Sequence, residues 1–315
     1  MHKPEEIERI LKLRSQTFKT LRSFFDERDF LEADTPQLIT ANAVERHIDP
    51  LVVQAGQARQ LITSPELAMK RLMSKGAKRL YQLGHVFRAG EHTKRHRIEF
   101  TLLEWYRADA DLKALIDDLQ SLFLRFGLPS RFAVRTVKEA FESVLDLDLD
   151  AILDDDPTAF VPRLKARKQK GQKGGFDFRP EADFEDAFFE CMHAIEKSLE
   201  NAPPTILIRW PKAFAALAKS CSDDDRYAER FELYFRGLEL ANAFDELTDP
   251  IEQRARFEED NQQRLLLGKK ALPIDEEFIE ALSKMPRTSG IALGVDRLMM
   301  VLTQTSDIAA VRYDF

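Results

Sequence analysis

Apolar residues recur at steps of three and four between residues 4 and 29, which predicts an amphipathic first helix. Further helices are predicted at 64–75, where Ser64 and Pro65 form a start signal, and at 111–127, 250–268 and 275–284. Bulky apolar runs predict strands in FLEADTPQL (ending at Pro36), RLYQLGHVF, IEFTLLEWYRADADL and PPTILIRWP. The stretch TSGIALGVDRLMMVLTQ predicts a strand, a glycine turn and an apolar helix.

The pattern changes between about 145 and 200. DLDLDAILDDDP is acidic, LKARKQKGQKGG is basic, and DFEDAFFECMHAIEKSLE has the spacing of an amphipathic helix. We interpret 145–200 as a helical lobe inserted into a single domain of residues 1–315. The basic run 165–173 is predicted to be a mobile, solvated loop, and a contact with a macromolecule is the alternative.

The stretch RFELYFRGLELANAFDEL is compatible with two structures, a helix and a β-hairpin. Glu232, Glu239 and Glu246 are spaced by seven, so they would share one face of a helix. Alternatively, a hairpin turning at Phe235-Arg236 would set Glu232 directly opposite Glu239. Like charges in that position are unfavourable unless a cation lies between them, so the hairpin would make a plausible Mg²⁺ site together with bound phosphates. Periodicity alone does not choose between helix and hairpin.

Composition narrows the class of protein. The chain has 315 residues, with 44% hydrophobic and 32% charged residues and a net charge of -7. This balance disfavours a large nucleic-acid footprint, which is usually basic. Two cysteines without close spacing argue against a zinc site or a disulfide framework and fit a reducing compartment. With no apolar signal core and no membrane-length apolar run, we expect a cytoplasmic protein.

Two stretches carry candidate chemistry. Alternation along the strand EFTLLEWY puts Phe100, Glu104 and Tyr106 on one face, which could hold a flat ring at one end and an ammonium at the other. The alternative is a half-exposed strand with chance polar positions. The loop VFRAGEHTKRHRIEF, which contains Arg88, could bind a polyphosphate, or could be a solvated hairpin tip. In GIALGVDRL, glycines allow close backbone approach and Arg297 offers a flat, permanent cation.

Taken in this order, the motifs resemble the catalytic core of a class II aminoacyl-tRNA synthetase. FLEADTPQL resembles the first class motif, whose proline lies at a dimer interface, FRAGE with RIEF resembles the second, and GIALGVDRL the third. TSPELAMKR, EFTLLEWY and RFELYFRGLELANAFDEL are similar to the lysyl-tRNA synthetase branch. The resemblance covers nearly the whole sequence except 145–200. It implies an α+β fold, an antiparallel sheet flanked by helices, a homodimer, and the hairpin hypothesis for Glu232 and Glu239.

The position of the first motif refines the resemblance. Lysyl-tRNA synthetases carry an anticodon-reading domain before the core, and here the motif arrives by Pro36. Together with LLEWYR and ELANAFDELTD, this resembles the elongation factor P–lysine ligase family, with tRNA unlikely as a partner. That family activates lysine, preferably (R)-β-lysine, with ATP and transfers the acyl group to a lysine of elongation factor P. A minimal lysyl-tRNA synthetase, a divergent paralogue with another acceptor, and an inactive binding paralogue remain alternatives.

The resemblance implies a role for each matching residue. Arg88 and Arg297 would be catalytic, and Glu232 and Glu239 would hold Mg²⁺. Contacts to ATP are implied for Arg88, Glu91, His96, Phe100, Glu232, Leu233, Gly294 and Arg297. Contacts to the amino acid are implied for Ser64, Pro65, Glu66, Glu104, Tyr106, Glu239, Asn242, Phe244, Glu246 and Ala292.

Two features depart from the expected pattern. The family commonly has glutamate two residues after the second-motif arginine, and here Gly90 holds that place and Glu91 follows it. Arg97-Ile98 replaces the usual Asn-Pro, which adds a positive charge to the loop that is expected to contact ATP. In addition, 239 and 242 are an odd number apart, so a bulge near Leu240-Ala241 is required if both side chains enter the site.

Overall fold

A computed structural model describes residues 4–313. Helices and strands follow one another in the order α1 Pro4–Asp26, β1 Leu31–Glu32, β2 Leu38–Ile39, β3 Val52–Ala55, β4 Gln57–Leu61, α2 Glu66–Ser74, β5 Arg79–Phe87, β6 Glu99–Ala108, α3 Leu112–Arg125, β7 Ala133–Thr136, α4 Val137–Ala140, α5 Leu149–Leu153, α6 Phe160–Gln169, α7 Phe184–Ser198, β8 Thr205–Pro211, β9 Tyr227–Phe235, β10 Leu238–Asp245, α8 Pro250–Leu266, α9 Glu276–Leu282, β11 Thr288–Gly294 and α10 Val295–Thr303. The predicted helices at 4–29, 64–75, 111–127, 250–268 and 275–284 are confirmed, with ends shifted by a few residues.

The first compact unit comprises the described residues up to Ser130, Ala216–Lys219, and those from Ala241 onward. Its main sheet has the strand order β1-β5-β6-β11-β10. Only the short β1 runs parallel to its neighbour, and the remaining pairs are antiparallel. A smaller antiparallel sheet has the order β2-β4-β3. The predicted class, an antiparallel sheet flanked by helices, is confirmed.

Helix α1 covers one face of the main sheet. Its Phe25 ring stacks on Tyr81 of β5, with ring centroids 4.7 Å apart, and lies 5.3 Å from Trp105 of β6. All three rings are completely buried, and burying such rings is a large apolar gain. Because side chains alternate along a strand, Glu104 and Tyr106 point to the opposite face. That face is therefore the one available for a binding site.

The second compact unit comprises residues 131–215 and 220–240. Strands β7 and β8 are parallel and β8 and β9 are antiparallel. Helices α4 to α7 pack around a buried apolar cluster in which the Phe141 and Phe188 rings stack with centroids 5.4 Å apart. Asp183 caps α7 through a reciprocal capping box with Asp186, which satisfies two of the exposed backbone donors at the start of the helix.

Strands β9 and β10 form the predicted hairpin, and the helical hypothesis for this stretch is wrong. The turn residues are Arg236 and Gly237, one position later than predicted, with φ of 55° and 67°. Two positive φ values define a type I′ turn, whose two-residue loop aligns Tyr234 with Glu239. The predicted direct pairing of Glu232 with Glu239 is therefore wrong. The two acids are diagonal neighbours on one face, within reach of long side chains.

The segment 145–200 lies inside the second unit and is largely helical. The basic run 165–173 is not wholly a loop, because its first five residues form the end of α6, where cations interact favourably with the helix dipole. That this unit is a lobe inserted into one domain stays a prediction, and the predicted bounds 1 and 315 lie outside the described residues. Within residues 4–313, no helix is both long enough and apolar enough to span a bilayer.

Candidate active site

Cross-strand pairing brings several predicted substrate residues onto one face of the main sheet. Ala292 of β11 lies between Glu104 of β6 and Asn242 of β10. In the next row Gly290 lies between Tyr106 and Phe244. Directly opposed residues on antiparallel strands point to the same face. Residues far apart in the sequence thus form one continuous surface.

A lysine that the sequence reasoning overlooked pairs with two of the predicted substrate residues, Glu66 and Glu246. Lys70 of α2 is 1% exposed, and its Nζ lies 2.5 Å from Glu66 Oε1 and 2.5 Å from Glu246 Oε2. Burial alone would lower the pKa of Lys70, but the charges of Glu246 and Glu66 outweigh it and raise the pKa, so the ammonium stays charged. Glu66, expected to receive the substrate's amine, is therefore already paired. The (i, i+4) spacing of Glu66 and Lys70 was the available signal.

The Glu104 carboxylate is the third acid of the surface. Tyr106 donates its hydroxyl to Glu104 Oε1 at 2.6 Å, and Ser64 donates to Oε2 at 2.8 Å. Ser64 Oγ also accepts the Glu66 backbone N–H, which fixes the start of α2. Burial, together with the negative charge of Glu66, raises the pKa of Glu104 to about 7. Its carboxyl group therefore releases its proton less readily than an exposed glutamate does.

Glu246 completes the acidic group just beyond the end of β10. Its side chain is 1% exposed, and within residues 4–313 its Oε1 has no hydrogen-bond partner. Burial is the main cause that raises the pKa of Glu246, and the nearby Lys70 opposes it. A buried acceptor without a donor is costly, and a donor brought by a ligand would satisfy it.

Gly290 is required by the close packing of this surface. A Cβ added there would overlap the Tyr106 ring and Glu246 Oε1. The absence of a side chain therefore lets Tyr106 reach Glu104 while Glu246 reaches Lys70. Gly290 was noted in the sequence only as a position of close backbone approach, and the structure identifies what approaches it.

The structure also places the predicted phosphate arginine. Arg88 follows β5, and its guanidinium lies 5.1 Å from the centroid of the Phe100 ring. Arg88 Nη1 lies 3.8 Å from Glu91 Oε1. Gly90, in the place of the family's usual glutamate, has a φ of 81°, a left-handed conformation that favours glycine. That bend brings the displaced Glu91 back towards Arg88.

His96 and Arg297, both expected at the nucleotide, contact each other. Arg297 Nη2 lies 2.6 Å from His96 Nε2, and Thr93 Oγ1 lies 2.8 Å from His96 Nδ1. An arginine can only donate, so Nε2 is the acceptor and the ring proton is on Nδ1. Gly294, at the start of α10, would accommodate a Cβ at ordinary contact distance from Arg297. The second and third motifs thus meet within the first unit.

The predicted metal pair, Glu232 and Glu239, lies in the second unit, on either side of the hairpin turn. Glu232 is 5% exposed, and its carboxylate accepts hydrogen bonds from Arg230 and from the Tyr234 hydroxyl. Burial, together with the charge of Glu239, raises the pKa of Glu232 to about 7. A buried carboxylate whose charge is destabilised by a second carboxylate fits a hard divalent cation. Within the described residues, no group of three or more His, Cys, Asp or Glu surrounds one metal position, so further oxygen ligands would come from elsewhere.

Two predictions, the nucleotide contact of Leu233 and the bulge in β10, depend on the alternation of side chains along a strand. Leu233 is completely buried and follows Glu232 in the strand, so only its backbone could reach a nucleotide on the Glu232 face. In β10, Glu239, Asn242 and Phe244 are half-buried, whereas Leu240 and Ala241 are both buried. The alternation changes phase where a bulge was expected.

Pro65 directly precedes α2 and makes no side-chain cap.

The sequence matches the family of class II tRNA synthetases (D, K and N) over residues 1–313. The chain therefore belongs to the class II tRNA synthetase family, and the predicted family is confirmed. Within it, the chain is 38% identical over 306 residues to the elongation factor P–(R)-beta-lysine ligase of Vibrio cholerae, covering 92% of this chain and 90% of the relative.

Further relatives carry the same name. The protein of Erwinia tasmaniensis is 36% identical over 314 residues, covering 96% of this chain and 94% of the relative. The protein of Haemophilus ducreyi is 36% identical over 318 residues, covering 97% and 93%. The similarity thus extends over nearly the full length of both partners.

Proposed function

We propose that this chain is an ATP-dependent ligase that activates lysine or (R)-β-lysine as an aminoacyl-adenylate and transfers it to a lysine side chain of elongation factor P. The names of the relatives support elongation factor P as the acceptor and (R)-β-lysine as the substrate. The observation that carries the proposal is the acidic surface around Lys70. Glu66, Glu104 and Glu246 together supply three carboxylates, and Lys70 supplies one cation. The deficit of positive charge suits an amino acid with a second ammonium group.

In the first step the substrate carboxylate attacks the α-phosphorus of ATP, and pyrophosphate leaves. Arg88 and Arg297 would stabilise the charge on the transferring phosphate, while Phe100 and Arg297 would hold the adenine between them. The acidic surface would orient the amino acid by its amines. Most of the acceleration would come from this positioning and from electrostatic stabilisation.

Mg²⁺ is part of the proposal. Glu232 and Glu239 would hold it, and the ion would neutralise charge on the ATP phosphates. The charge of Glu239 raises the pKa of the buried Glu232, and a bound cation would relieve this effect, which supports the assignment.

In the second step the ε-amine of the acceptor lysine attacks the carbonyl carbon of the mixed anhydride, and AMP leaves. An amide bond forms, and the amine loses a proton. The same proposal includes a homodimer around Pro36, since Leu31 and Leu38 on either side of it are 68% and 43% exposed. It also places the reaction in the cytoplasm, in keeping with the unpaired thiols of Cys191 and Cys221.

The test is ATP–pyrophosphate exchange with L-lysine, (R)-β-lysine, ornithine and norleucine, followed by intact mass of elongation factor P and of tRNA after incubation. We expect exchange with a lysine isomer, none with norleucine, and a mass gain on elongation factor P only. Charging of tRNA would instead support a minimal lysyl-tRNA synthetase. Exchange with norleucine but not with lysine would contradict the proposal.

A further inference from the structure

Asp296 of α10 is a buried carboxylate that the proposed chemistry does not use. Its side chain is 3% exposed and accepts from two arginines, Arg14 Nη1 on Oδ1 at 2.6 Å and Arg312 Nη1 on Oδ2 at 2.8 Å. Arg14 belongs to α1, and Arg312 to the segment that follows α10. Three separate parts of the sequence thus meet at one acid.

The same carboxylate also joins the two predicted sides of the adenine site. Asp296 Oδ2 accepts the backbone N–H of Thr101 at 2.8 Å. Thr101 directly follows Phe100, and Asp296 directly precedes Arg297. Arg14 closes the triangle, because its Nη2 donates to Thr101 Oγ1 at 2.9 Å. The distance between Phe100 and Arg297 is therefore set by hydrogen bonds between their immediate neighbours.

The segment after α10 has a second anchor. Ile308 donates its backbone N–H to the Lys94 carbonyl at 2.9 Å, and Lys94 lies in the loop that carries His96. Arg14 Nη1 also donates to the Val311 carbonyl at 3.2 Å. The segment 305–313 thus connects the loop of the second motif to the helix of the third.

We propose that Asp296, Arg14 and Arg312 are positioning residues for nucleotide binding, and that segment 305–313 is a brace that keeps Phe100 and Arg297 at the spacing an adenine ring requires. This inference rests on the proposed function, which assigns the adenine to Phe100 and Arg297. Loosening the brace changes the ATP site and leaves the acidic surface around Lys70 intact. The expected signature is therefore selective for ATP.

The experiment measures ATP binding with Mg²⁺ and no amino acid, by isothermal titration calorimetry, for wild type, Arg312→Met and Arg312→Lys. Steady-state exchange then gives KM separately for ATP and for the amino acid. We expect Arg312→Met to weaken ATP binding and to raise the KM for ATP by about tenfold, with the KM for the amino acid unchanged. Arg312→Lys keeps the charge and should recover much of the loss.

Arg9→Met is the matched control. Arg9 lies on α1 and donates weakly to the Ala310 carbonyl at 3.5 Å, so it touches the same segment without touching Asp296. Its ATP affinity should equal that of wild type. If Arg312→Met is poorly folded, Arg14→Lys, which keeps the ion pair but cannot bridge Asp296 and Thr101, takes its place.

The outcomes separate the inference from the proposed function. Wild-type ATP affinity in both Arg312→Met and Arg14→Lys, or an equal rise of both KM values, would overturn the brace alone. A wild-type protein that binds no ATP would overturn the proposed function and the brace together.

Discussion

The Lys70 ammonium lies 2.5 Å from the Glu246 carboxylate, and both side chains are 1% exposed. A charge so deeply buried is stable only when it is paired, and here two carboxylates share one lysine. Lys70 thereby lowers the cost of burying two carboxylates beside the surface proposed to receive the substrate ammonium.

Replacing Lys70 by methionine should strongly destabilise the protein. The variant keeps most of the volume but leaves Glu66 and Glu246 without their cation, and breaking a buried ion pair typically costs about 3–5 kcal/mol. Chemical denaturation measures the loss. Lys113→Met is the control, because Lys113 forms an exposed (i, i+4) pair with Asp117, and such surface pairs contribute little to stability. Equal effects of the two substitutions would contradict the role of Lys70.

The raised pKa of Glu104 predicts that amino-acid binding depends on pH. Its pKa is raised to about 7, and a substrate ammonium should bind the ionised form. The affinity for the amino acid should therefore fall by about tenfold per pH unit below pH 7 and be constant above it. Titration calorimetry between pH 5.5 and pH 8.5 measures this, with Glu104→Gln as the variant that should lose the dependence. A wild-type affinity independent of pH would exclude Glu104 as the titrating acceptor.

The raised pKa of Glu104 also makes the stability of the folded protein depend on pH. The folded protein holds the Glu104 proton more tightly than the unfolded chain, whose carboxyl has an ordinary pKa near 4.5. This contribution to stability is fully present below that value and is lost as the pH rises through about 7. Wild type should therefore lose more stability than Glu104→Gln between pH 5 and pH 8.

Gly290→Ala should impair the acidic surface specifically. The new methyl group would overlap the Tyr106 ring and the Glu246 carboxylate, and such overpacking usually costs about 1–3 kcal/mol. We expect a higher KM for the amino acid and a smaller change for ATP, measured by exchange. Gly84→Ala is the matched control on β5, since its Cβ would lie at an ordinary contact distance of 3.7 Å from Gln82 Nε2. A change in KM for ATP alone would contradict the assignment of Gly290 to the amino-acid site.

Features set by neighbouring residues could be predicted from the sequence, whereas features set by contacts between distant residues could not. Local periodicity found the helices, and alternation put Glu104 and Tyr106 on one face, because both signals are contained in a few neighbouring residues. The pairing of Lys70 with Glu246 was missed, because it depends on how α2 packs against the end of β10. The hairpin turn was misplaced by one residue, because Arg236 adopts a positive φ that an arginine seldom takes. The ion pairs of Asp296 could not be predicted, because its partners Arg14 and Arg312 are distant in the sequence.

Glu239→Gln tests the proposed Mg²⁺ pair. The substitution keeps the size of the side chain and removes one of the two charges that would hold the ion, so exchange should be abolished. The folded protein should be at least as stable as wild type, because the charge of Glu239 raises the pKa of its buried neighbour Glu232. Lost exchange with retained stability separates a role in binding from a role in folding. Glu200→Gln, an exposed acid beside Gly237 in the same unit, should behave as wild type in both measurements. Undiminished exchange in Glu239→Gln over a titration of Mg²⁺ would show that the ion is held by other groups.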